Sequence, residues 1–547
     1  MVTEGQDDPY ERSVCEVAGA GVGDDVRHGT GMAVQAVLFD MDGVVTDTAE
    51  AHAAAWQRLF DEFLKSWSAR YRVTLHPFDP DQDYKSYLDG KPRYDGVESF
   101  LAARGISLPW GLETDGPEAE TICGLGNRKN EIFRAWLDEN AAKVFPGTMA
   151  FMEALGKAGV RKAVFSASRN AAAVLRSAGV LQSFAVRLDG DEAASLGLPG
   201  KPDPAMLIEA AARLGIPPVK TAVIEDSIAG VTAGRAGGFG LVIGVDRGGN
   251  AAQLAGAGAD IVINDVAELT CSRAGEIGIK RLSTRPLATS HLDEIRDRLA
   301  GHVPVVFLDY DGTLTPIVED YRRAFLPADM RQALQTLSRR CRVAVVSGRD
   351  VAILRGLVQL NSLYYAGSHG FEIEGPGGWK QRLEKGVEFL PELDKIEAQL
   401  RARLTDIDGH AVERKRFSVA VHYRRAGVQD VPRIERIVEE ALTEFPRLHM
   451  GRGKKVFRVQ PDIRWDKGRA VEWLVERLDS DQSAILPLYI GDDITDEDAF
   501  RVLAGTGMSI AVRGEEDRQT AADYALPDTD EVARFLKFLA ETGAGEA

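Results

Sequence analysis

The sequence is poor in cysteine, in long apolar runs and in positive charge, and each shortage excludes a class of protein. Its 547 residues contain only four cysteines, at spacings that fit no metal-ligand motif, which favours a reduced, cytoplasmic setting. No apolar stretch reaches the roughly 18 residues of a membrane span, and the polar, acidic N-terminus is unlike a signal peptide. Lys and Arg number 66 against 83 Asp and Glu, a net charge of −17 at pH 7, so we expect no binding to nucleic acid or membranes.

The rest of the composition is that of an ordinary globular protein. Hydrophobic residues make up 44% of the chain and charged residues 27%. At roughly 150 residues per domain, the length predicts three to four compact units. Any anionic ligand of so acidic a chain must meet a local cluster of Lys, Arg or backbone N–H groups.

Two segments of the chain nearly repeat each other. Residues 36–43 read AVLFDMDG, and residues 305–312 read VVFLDYDG. Each is a β-favouring apolar run that ends in Asp-x-Asp-Gly, as expected for a buried parallel strand and its carboxyl end. Amphipathic helical stretches separate the further apolar runs, so we predict an α/β fold with two Rossmann-like parallel sheets. The further runs are 162–166, 221–225, 240–245 and 260–264 after the first copy, and 342–347, 486–492 and 508–512 after the second.

The duplication also predicts the domain organisation. We expect a first unit at residues 33–270 and a second unit at 291–542. Residues 271–290, with Ser, Arg and Pro, are predicted to be a linker. Residues 1–32 are acidic and then Gly-rich, a composition typical of a disordered tail.

The carboxylate pairs are the first candidates for chemistry. Residues i and i+2 of a strand point the same way, so Asp40 and Asp42 face one pocket, as do Asp309 and Asp311. Open α/β sheets bind ligands at this carboxyl edge. A calcium loop is a poor alternative, because its Gly comes sixth and flanking helices are required. A chance Asp-Gly turn is the stronger alternative for one copy alone.

A set of polar residues follows each pair in the same order, which argues against chance. In both units a Ser ends the next apolar run, a Lys follows, and a later apolar run ends in carboxylates. Oxygen ligands without His or Cys select Mg²⁺, which binds one or two carboxylates together with substrate phosphate. The set is Ser347, Arg349, Lys467, Asp492, Asp493 and Asp496 in the second unit, and Ser166, Lys201, Glu225 and Asp226 in the first.

This ordered set, present twice, resembles the haloacid dehalogenase superfamily of aspartyl phosphotransferases. The resemblance implies that Asp309 and Asp40 are nucleophiles and that Asp311 and Asp42 are acid/bases. It also implies that the serines and lysines of the set hold the transferring phosphoryl group, and that Arg349 binds substrate. Magnesium would be held by Asp309, Asp311, Asp492, Asp493 and Asp496, and by Asp40, Asp42, Glu225 and Asp226.

The spacing of the set predicts one inserted cap in each unit, at different points. In the first unit, 126 residues separate Asp40 from Ser166; in the second, 120 separate Ser347 from Lys467. Such insertions are natural lids that determine substrate choice and exclude water. The two predicted caps are a helical one at about 53–143 and a mixed α/β one at about 366–460.

The first unit is similar to the β-phosphoglucomutase family and related sugar-phosphate phosphatases. The similarity is carried by FDMDGVVTDTAEAH (39–52), RKN (128–130) and SASRN (166–170). It implies that His52 and Lys129 attend the active site and that Arg93 holds the second phosphate of a bisphosphate.

The second unit resembles the trehalose-6-phosphate phosphatase family. The resemblance is carried by segments 309–317, 347–349, 367–373, 412–415, 422–424, 465–468 and 491–497. It implies that Glu413, Lys415 and Lys454 contact a disaccharide. One position departs from the family, which usually has a Glu five residues after the Gly of its late cap motif. Here Gly453 is followed by Arg458, which exchanges an acceptor of sugar hydroxyls for a donor.

These resemblances imply a magnesium-dependent hydrolase of trehalose 6-phosphate, with the second unit carrying the chemistry. A first alternative is a bifunctional enzyme whose first unit is a mutase or a phosphatase of another sugar phosphate. A second alternative makes the first unit a scaffold that docks the phosphatase or a trehalose-phosphate synthase partner.

Overall fold

The computed structural model of the chain contains two α/β units in one polypeptide. It describes residues 33–80, 83–88, 93–318, 323–382, 384–453, 455–463, 465–478, 485–514 and 516–542. The predicted disordered tail, 1–32, lies outside these residues. None of the described helices combines the length and the apolar character that crossing a membrane requires.

The first unit alternates strands and helices. Its strands are β1 (Ala36–Asp40), β2 (Thr46–Asp47), β3 (Lys143–Val144), β4 (Arg161–Phe165), β5 (Val186–Leu188), β6 (Thr221–Glu225), β7 (Leu241–Val245), β8 (Ile261–Ile263), β9 (Leu269–Cys271) and β10 (Ile277–Ile279). Its helices are α1 (Ala49–Tyr71), α2 (Arg93–Ala103), α3 (Ile122–Glu139), α4 (Pro146–Lys157), α5 (Ala171–Ser177), α6 (Gly190–Ser195), α7 (Ala205–Leu214), α8 (Ile228–Ala236) and α9 (Ala251–Gly256).

The core of the first unit is a six-stranded parallel sheet in the order β5-β4-β1-β6-β7-β8. Every residue of β1 is buried, because helices cover both faces of the sheet. Strand β1 pairs with β4 on one side and β6 on the other. The runs predicted as strands at 162–166, 221–225, 240–245 and 260–264 are all observed, within two residues at each end, whereas β5 was not predicted.

A helical cap is inserted in the first unit between β2 and β3. These two short strands pair antiparallel, Thr46 opposite Val144, and so form the two-stranded connection between core and cap. The cap helices α1, α2 and α3 bury a cluster of aromatic side chains of their own. Phe60, for example, lies 4.0 Å from Phe100 and 5.3 Å from Trp56 between ring centroids.

The second unit has the same alternation with a different insertion. Its strands are β11 (Val303–Leu308), β12 (Arg342–Val346), β13 (Tyr364–Gly367), β14 (Glu372–Glu374), β15 (Lys380–Arg382), β16 (Ala411–Lys415), β17 (Ser418–His422), β18 (Leu448–Gly453), β19 (Val456–Pro461), β20 (Ile485–Gly491), β21 (Met508–Val512) and β22 (Tyr524–Leu526). Its helices are α10 (Leu292–Leu299), α11 (Ala328–Leu337), α12 (Val351–Val358), α13 (Glu384–Val387), α14 (Leu390–Arg403), α15 (Val431–Leu442), α16 (Lys467–Leu478), α17 (Glu497–Val502) and α18 (Thr529–Thr542).

The core of the second unit is an eight-stranded sheet in the order β15-β14-β13-β12-β11-β20-β21-β22. It is parallel except at one edge, where β14 and β15 run antiparallel to their neighbours. The chain doubles back there through His369 and Gly370, whose φ angles are 58° and 91°. The insertion therefore begins after β15, not at the predicted residue 366, because residues 366–382 complete the core sheet.

The cap of the second unit is a four-stranded antiparallel sheet in the order β16-β17-β19-β18. Helices α14 and α15 cover one of its faces with a continuous apolar core. The predicted mixed α/β character of this cap is observed, and it contrasts with the helical cap of the first unit.

The segment predicted as a linker, 271–290, is folded in the structure. Strands β9 and β10 form an antiparallel hairpin, and two 3₁₀ turns follow at Leu282–Thr284 and Ala288–Ser290. The Leu282 side chain enters an apolar cluster of the second unit together with Ala267 of the first.

Ion pairs also connect the two units. Buried Glu268 lies 3.3 Å from Arg501 on α17. Asp47 of β2 lies 3.6 Å from Arg469, two residues after Lys467 on α16. The two units thus contact each other at two places. Glu268 meets helix α17, and strand β2, which connects the first core to its cap, meets helix α16 near Lys467.

Candidate functional site

Both carboxylate pairs lie at the carboxyl ends of central strands. Asp40 is the last residue of β1 and is 5% exposed, and Asp309 directly follows β11 and is 4% exposed. Asp309 continues the sheet through its N–H, which donates to the Ile490 carbonyl at 2.9 Å. Because the neighbouring parallel strands end at the same edge, the groups that follow them meet these aspartates.

The glycine of each Asp-x-Asp-Gly segment is required by its position. Gly43 and Gly312 have φ angles of 79° and 87°, in the left-handed region that favours glycine. A Cβ atom on Gly43 would collide with the carboxylate of Asp226, and one on Gly312 with that of Asp492. The glycine therefore makes room for an acid from the end of a neighbouring strand.

A buried lysine bridges two carboxylates in the second unit. Lys467, the first residue of α16, donates to Asp309 at 2.8 Å and to Asp496 at 2.7 Å. The Tyr489 hydroxyl donates to the same Asp496 oxygen at 2.7 Å. Burial lowers the pKa of Lys467, but the two carboxylates outweigh it and hold the pKa above its usual range, so the ammonium stays charged.

The first unit contains the corresponding bridge. Lys201 donates to Asp40 at 2.6 Å and also to Glu225. The other Glu225 oxygen accepts the N–H of Ser227 at 2.7 Å and its hydroxyl at 2.8 Å. The partner acid thus comes from the last residue of β6, whereas in the second unit it comes five residues beyond β20.

Each lysine faces a group of three carboxylates that offers a cation site. In each group the carboxylate oxygens lie within 4.8 Å of one another. Burial raises the pKa of both nucleophile candidates well above the usual range, and the neighbouring carboxylates raise it further against the lysine. A divalent cation relieves such crowding, and an all-oxygen set fits Mg²⁺. The groups are Asp309, Asp492 and Asp496, and Asp40, Glu225 and Asp226.

The second aspartate of each pair is held by a different kind of partner. The Arg349 guanidinium donates twice to Asp311, from Nε at 2.7 Å and from Nη2 at 2.6 Å. Asp42 accepts the Thr48 hydroxyl at 2.5 Å. Burial raises the pKa of Asp42, against hydrogen bonds from Thr48 and Ser166. Neither carboxylate belongs to one of the three-acid groups.

Three predicted metal ligands therefore lie outside the two carboxylate groups. Asp311 and Asp42 are engaged by the partners just described. Asp493 accepts the N–H of Ile494 at 2.8 Å and caps a short 3₁₀ turn. Their roles as metal ligands stay predictions, because adjacency in sequence does not fix which oxygens point inward.

The two serines close the core part of each site. Ser347 and Ser166 are buried at the ends of β12 and β4. The Ser347 hydroxyl accepts the N–H of Arg349 at 3.3 Å, and the Ser166 hydroxyl accepts that of Ser168 at 3.0 Å. Each hydroxyl is thereby oriented by its own loop, as a phosphate-binding donor must be.

The predicted cap residues of the first unit come together. Lys129 Nζ lies 2.6 Å from His52 Nδ1, and the His52 ring stacks on Phe133 at 4.3 Å. Burial and, second to it, the charge of Arg93 lower the pKa of Lys129 to about 7. Arg93 itself donates to Asn130 at 3.2 Å. Lys129 and Arg93 make this cluster suited to an anionic ligand.

The predicted cap residues of the second unit reach the core. Lys415 donates to the Gly348 carbonyl at 2.9 Å, which connects the cap to the loop after β12. Glu413 lies 2.8 Å from His422 Nε2. Lys454 lies outside the described residues.

Core and cap of the second unit enclose a cavity of about 400 Å³. The core contributes Asp309, Ser347 and Lys467 to its lining, and the cap contributes Glu413 and Lys415. The lining thus combines phosphate-binding residue types from the core with polar side chains from the cap.

Some residues of this cavity were not predicted as site residues. His369 lines it in a left-handed conformation, and its buried Nε2 has no hydrogen-bond partner among the described residues. Burial and nearby cations lower its pKa well below the usual range, so the ring is neutral. The Gly-Ser-His-Gly segment (367–370) could have indicated His369 as a site residue. No local sequence pattern marks Tyr489 as a partner of Asp496.

Family models match both units. A haloacid dehalogenase-like hydrolase model matches residues 34–238, and a trehalose-phosphatase model matches residues 307–530. These matches confirm the superfamily predicted for both units and the family predicted for the second. Among solved structures, a trehalose-6-phosphate phosphatase related protein is 25% identical, with a TM-score of 0.39 over 44% of this chain and 98% of that one. A putative β-phosphoglucomutase from Thermotoga maritima is 26% identical, with a TM-score of 0.34 over 42% and 94%.

Curated relatives extend the comparison to most of the chain. An uncharacterized glycosyl hydrolase from Mycobacterium tuberculosis is 41% identical over 92% of this chain, which spans only 38% of that relative's length. A trehalose-phosphate phosphatase from Mycobacterium bovis is 42% identical over 336 residues, 61% of this chain and 84% of that one. The chain therefore belongs to the trehalose-phosphate phosphatase family, within the haloacid dehalogenase superfamily.

Proposed function

We propose that the second unit hydrolyses trehalose 6-phosphate to trehalose and phosphate through an aspartyl-phosphate on Asp309. The observation that carries the proposal is the Lys467 bridge between Asp309 and Asp496 at the floor of a cavity roofed by Glu413 and Lys415. Its placement supports a phosphoryl group at the core and a sugar under the cap.

The chain's own residues account for both halves of the reaction. Asp309 attacks phosphorus, the bond from phosphorus to the sugar oxygen breaks, and Asp311 gives its proton to that oxygen. Water then attacks the aspartyl-phosphate, Asp311 takes the water's proton, and phosphate leaves. Lys467 and Ser347 hold the phosphoryl oxygens throughout. Magnesium, held by Asp309, Asp492 and Asp496, would neutralise part of the charge on the phosphoryl group.

A second activity is supported for the first unit. Its lysine bridge, its carboxylate group and its positioned Asp42 repeat those of the second unit, and its cap adds Lys129 and His52 near them. We propose that it transfers phosphate from a sugar phosphate such as β-glucose 1-phosphate. A scaffold needs none of these buried charges, so the bifunctional enzyme is the better account.

The test is a double dissociation in the full-length protein. Phosphate release from trehalose 6-phosphate and turnover of β-glucose 1-phosphate with a bisphosphate primer are measured for Asp309→Asn and Asp40→Asn. We expect Asp309→Asn to lose at least about 10³-fold on trehalose 6-phosphate, because the nucleophile is gone. Asp40→Asn should lose the same on β-glucose 1-phosphate only, and chelation of divalent ions should stop both reactions.

Two results would contradict the proposal. Full phosphate release from trehalose 6-phosphate by Asp309→Asn would remove that activity from the second unit. Absence of any Asp40-dependent turnover over a panel of sugar phosphates would favour the scaffold.

A further inference from the structure

The cap sheet of the second unit has one apolar face and one polar face. Val412, Val419 and Val459 pack under the helices of the cap. Side chains alternate along a strand, so Glu413 and Arg458, each next to one of these valines, lie on the opposite face. Both line the cavity that also holds Asp309.

Arg458 lies between small residues on the cavity face of the cap sheet. Glu413 pairs with Ala420, Ala420 with Arg458, and Arg458 with Gly451. The two immediate neighbours of Arg458 in this row of paired residues are therefore a methyl group and a glycine.

The Arg458 side chain is buried and lacks a protein partner. It is 8% exposed, and its Nε makes no hydrogen bond within the described residues. None of the ion pairs among the described residues joins it to a carboxylate within 4.0 Å. A buried guanidinium without hydrogen bonds is costly, since it gives up its water without replacement.

Three other cations of the cavity have partners, whereas Arg425 is exposed to solvent. Lys467 is held by two carboxylates, Arg349 by Asp311, and Lys415 by the Gly348 carbonyl. Asp309, Asp493, Asp496 and Glu413 contribute negative potential at Arg458. The charge of Lys415 opposes them, while the neighbouring His369 ring is neutral. Arg458 is therefore a buried cation of the cavity that has no protein partner among the described residues.

We propose that the cap of the second unit has a subsite for a second acidic group, a carboxylate or a second phosphate, on the sugar that leaves, and that Arg458 binds it. The inference rests on the proposed function and adds to it, since acidic derivatives of trehalose 6-phosphate should bind in preference to trehalose 6-phosphate itself. Lys467 and Ser347 already serve the transferred phosphoryl group at the core, whereas Arg458 belongs to the cap, where the leaving sugar lies. A guanidinium fork matches either anion with two parallel hydrogen bonds.

The test compares three ligands on full-length Asp309→Asn protein by calorimetry. They are trehalose 6-phosphate, its analogue with the second glucose oxidised to glucuronic acid, and trehalose 6,6′-bisphosphate. We expect at least one acidic analogue to bind about tenfold tighter than trehalose 6-phosphate. Which analogue gains identifies the anion as carboxylate or phosphate.

Variants at Arg458 assign the gain to this side chain. Arg458→Gln should reduce the preference to less than about twofold, Arg458→Glu should reverse it, and Arg458→Lys should restore part of it. Arg452→Gln is the matched control, because Arg452 lies on the same cap sheet but is exposed and paired with Glu435. It should keep the preference.

The outcomes separate this inference from the proposed function. Equal binding of all three ligands, no binding of any, or a preference that survives in Arg458→Gln overturns the inference. Phosphate release by the unsubstituted protein is measured separately, and it tests the proposed function and not the role of Arg458. If the acidic analogues bind through Arg458 but no ligand releases phosphate, the proposed hydrolysis fails while the binding inference stands.

Discussion

The two candidate sites use the same parts but hold the proposed acid/base through different partners. In the second unit, Asp311 is clamped by Arg349, which follows core strand β12. In the first unit, Asp42 accepts one hydroxyl from Thr48, the residue before cap helix α1. The proposed acid/base of the second unit is therefore held by a core residue, and the cap reaches it through Lys415 and the Gly348 carbonyl. The proposed acid/base of the first unit is bound directly by the residue before its first cap helix. Cap position and proton transfer should therefore be linked more directly in the first unit.

The carboxylate groups show a second contrast. Glu225 and Asp226 are adjacent at the end of β6, while Asp492 and Asp496 are separated by a capped 3₁₀ turn. Tyr489 then supplies to Asp496 a hydroxyl of the kind that Ser227 supplies to Glu225. The acids therefore come from different positions along the chain in the two units, but both units place three carboxylates together as a candidate cation site.

The largest effect is expected from substitutions of the glycine that follows each Asp-x-Asp pair, since both sites use it in the same way. Gly312→Ala and Gly43→Ala place a methyl group into the Asp492 and Asp226 carboxylates and strain a backbone with positive φ. Each change should lower the activity of its own unit by at least about 100-fold, since a displaced metal-site acid costs several kcal/mol of transition-state stabilisation. Initial rates on the substrate of each unit measure this.

Matched controls separate the collision from the backbone strain. Gly301 and Gly159 have similar φ angles, 78° and 73°, with no neighbouring atom within 4 Å of an added Cβ. Their Ala variants should retain activity within about threefold, since only the strain of roughly 1 kcal/mol remains. If Gly312→Ala resembled Gly301→Ala, the shared geometry of the two sites would be wrong.

A smaller and unequal effect is expected from the partners of the acid/bases. Arg349→Gln removes two charge-assisted hydrogen bonds and should lower kcat in the second unit by about 100-fold, whereas Thr48→Val removes one and should cost the first unit about tenfold. Since Thr48 adjoins the cap, its variant should also change KM. Separate determination of kcat and KM for both variants measures these effects. Equal losses of kcat in the two units would contradict the difference between the partners of Asp311 and Asp42.

The sequence predicted the parts that depend on local pattern. The apolar run, the Asp-x-Asp-Gly turn and the order of Ser, Lys and acids located both sites, because each element ends at the same edge of a parallel sheet. The sequence also exposed Arg458 as a departure from the family. It did not show that Arg458 lacks a partner, since that depends on how the cap strands pair and on how the cap meets the core. The antiparallel edge formed by β14 and β15 was missed because each strand is only three residues long and carries charged side chains.

The account rests most directly on which aspartate becomes phosphorylated. Full-length protein is mixed briefly with trehalose 6-phosphate, the acyl phosphate is reduced with borohydride, and the modified residue is identified by mass spectrometry. The account predicts modification of Asp309 and none of Asp40. Modification of Asp40, or release of phosphate with Asp309 unmodified, would contradict it.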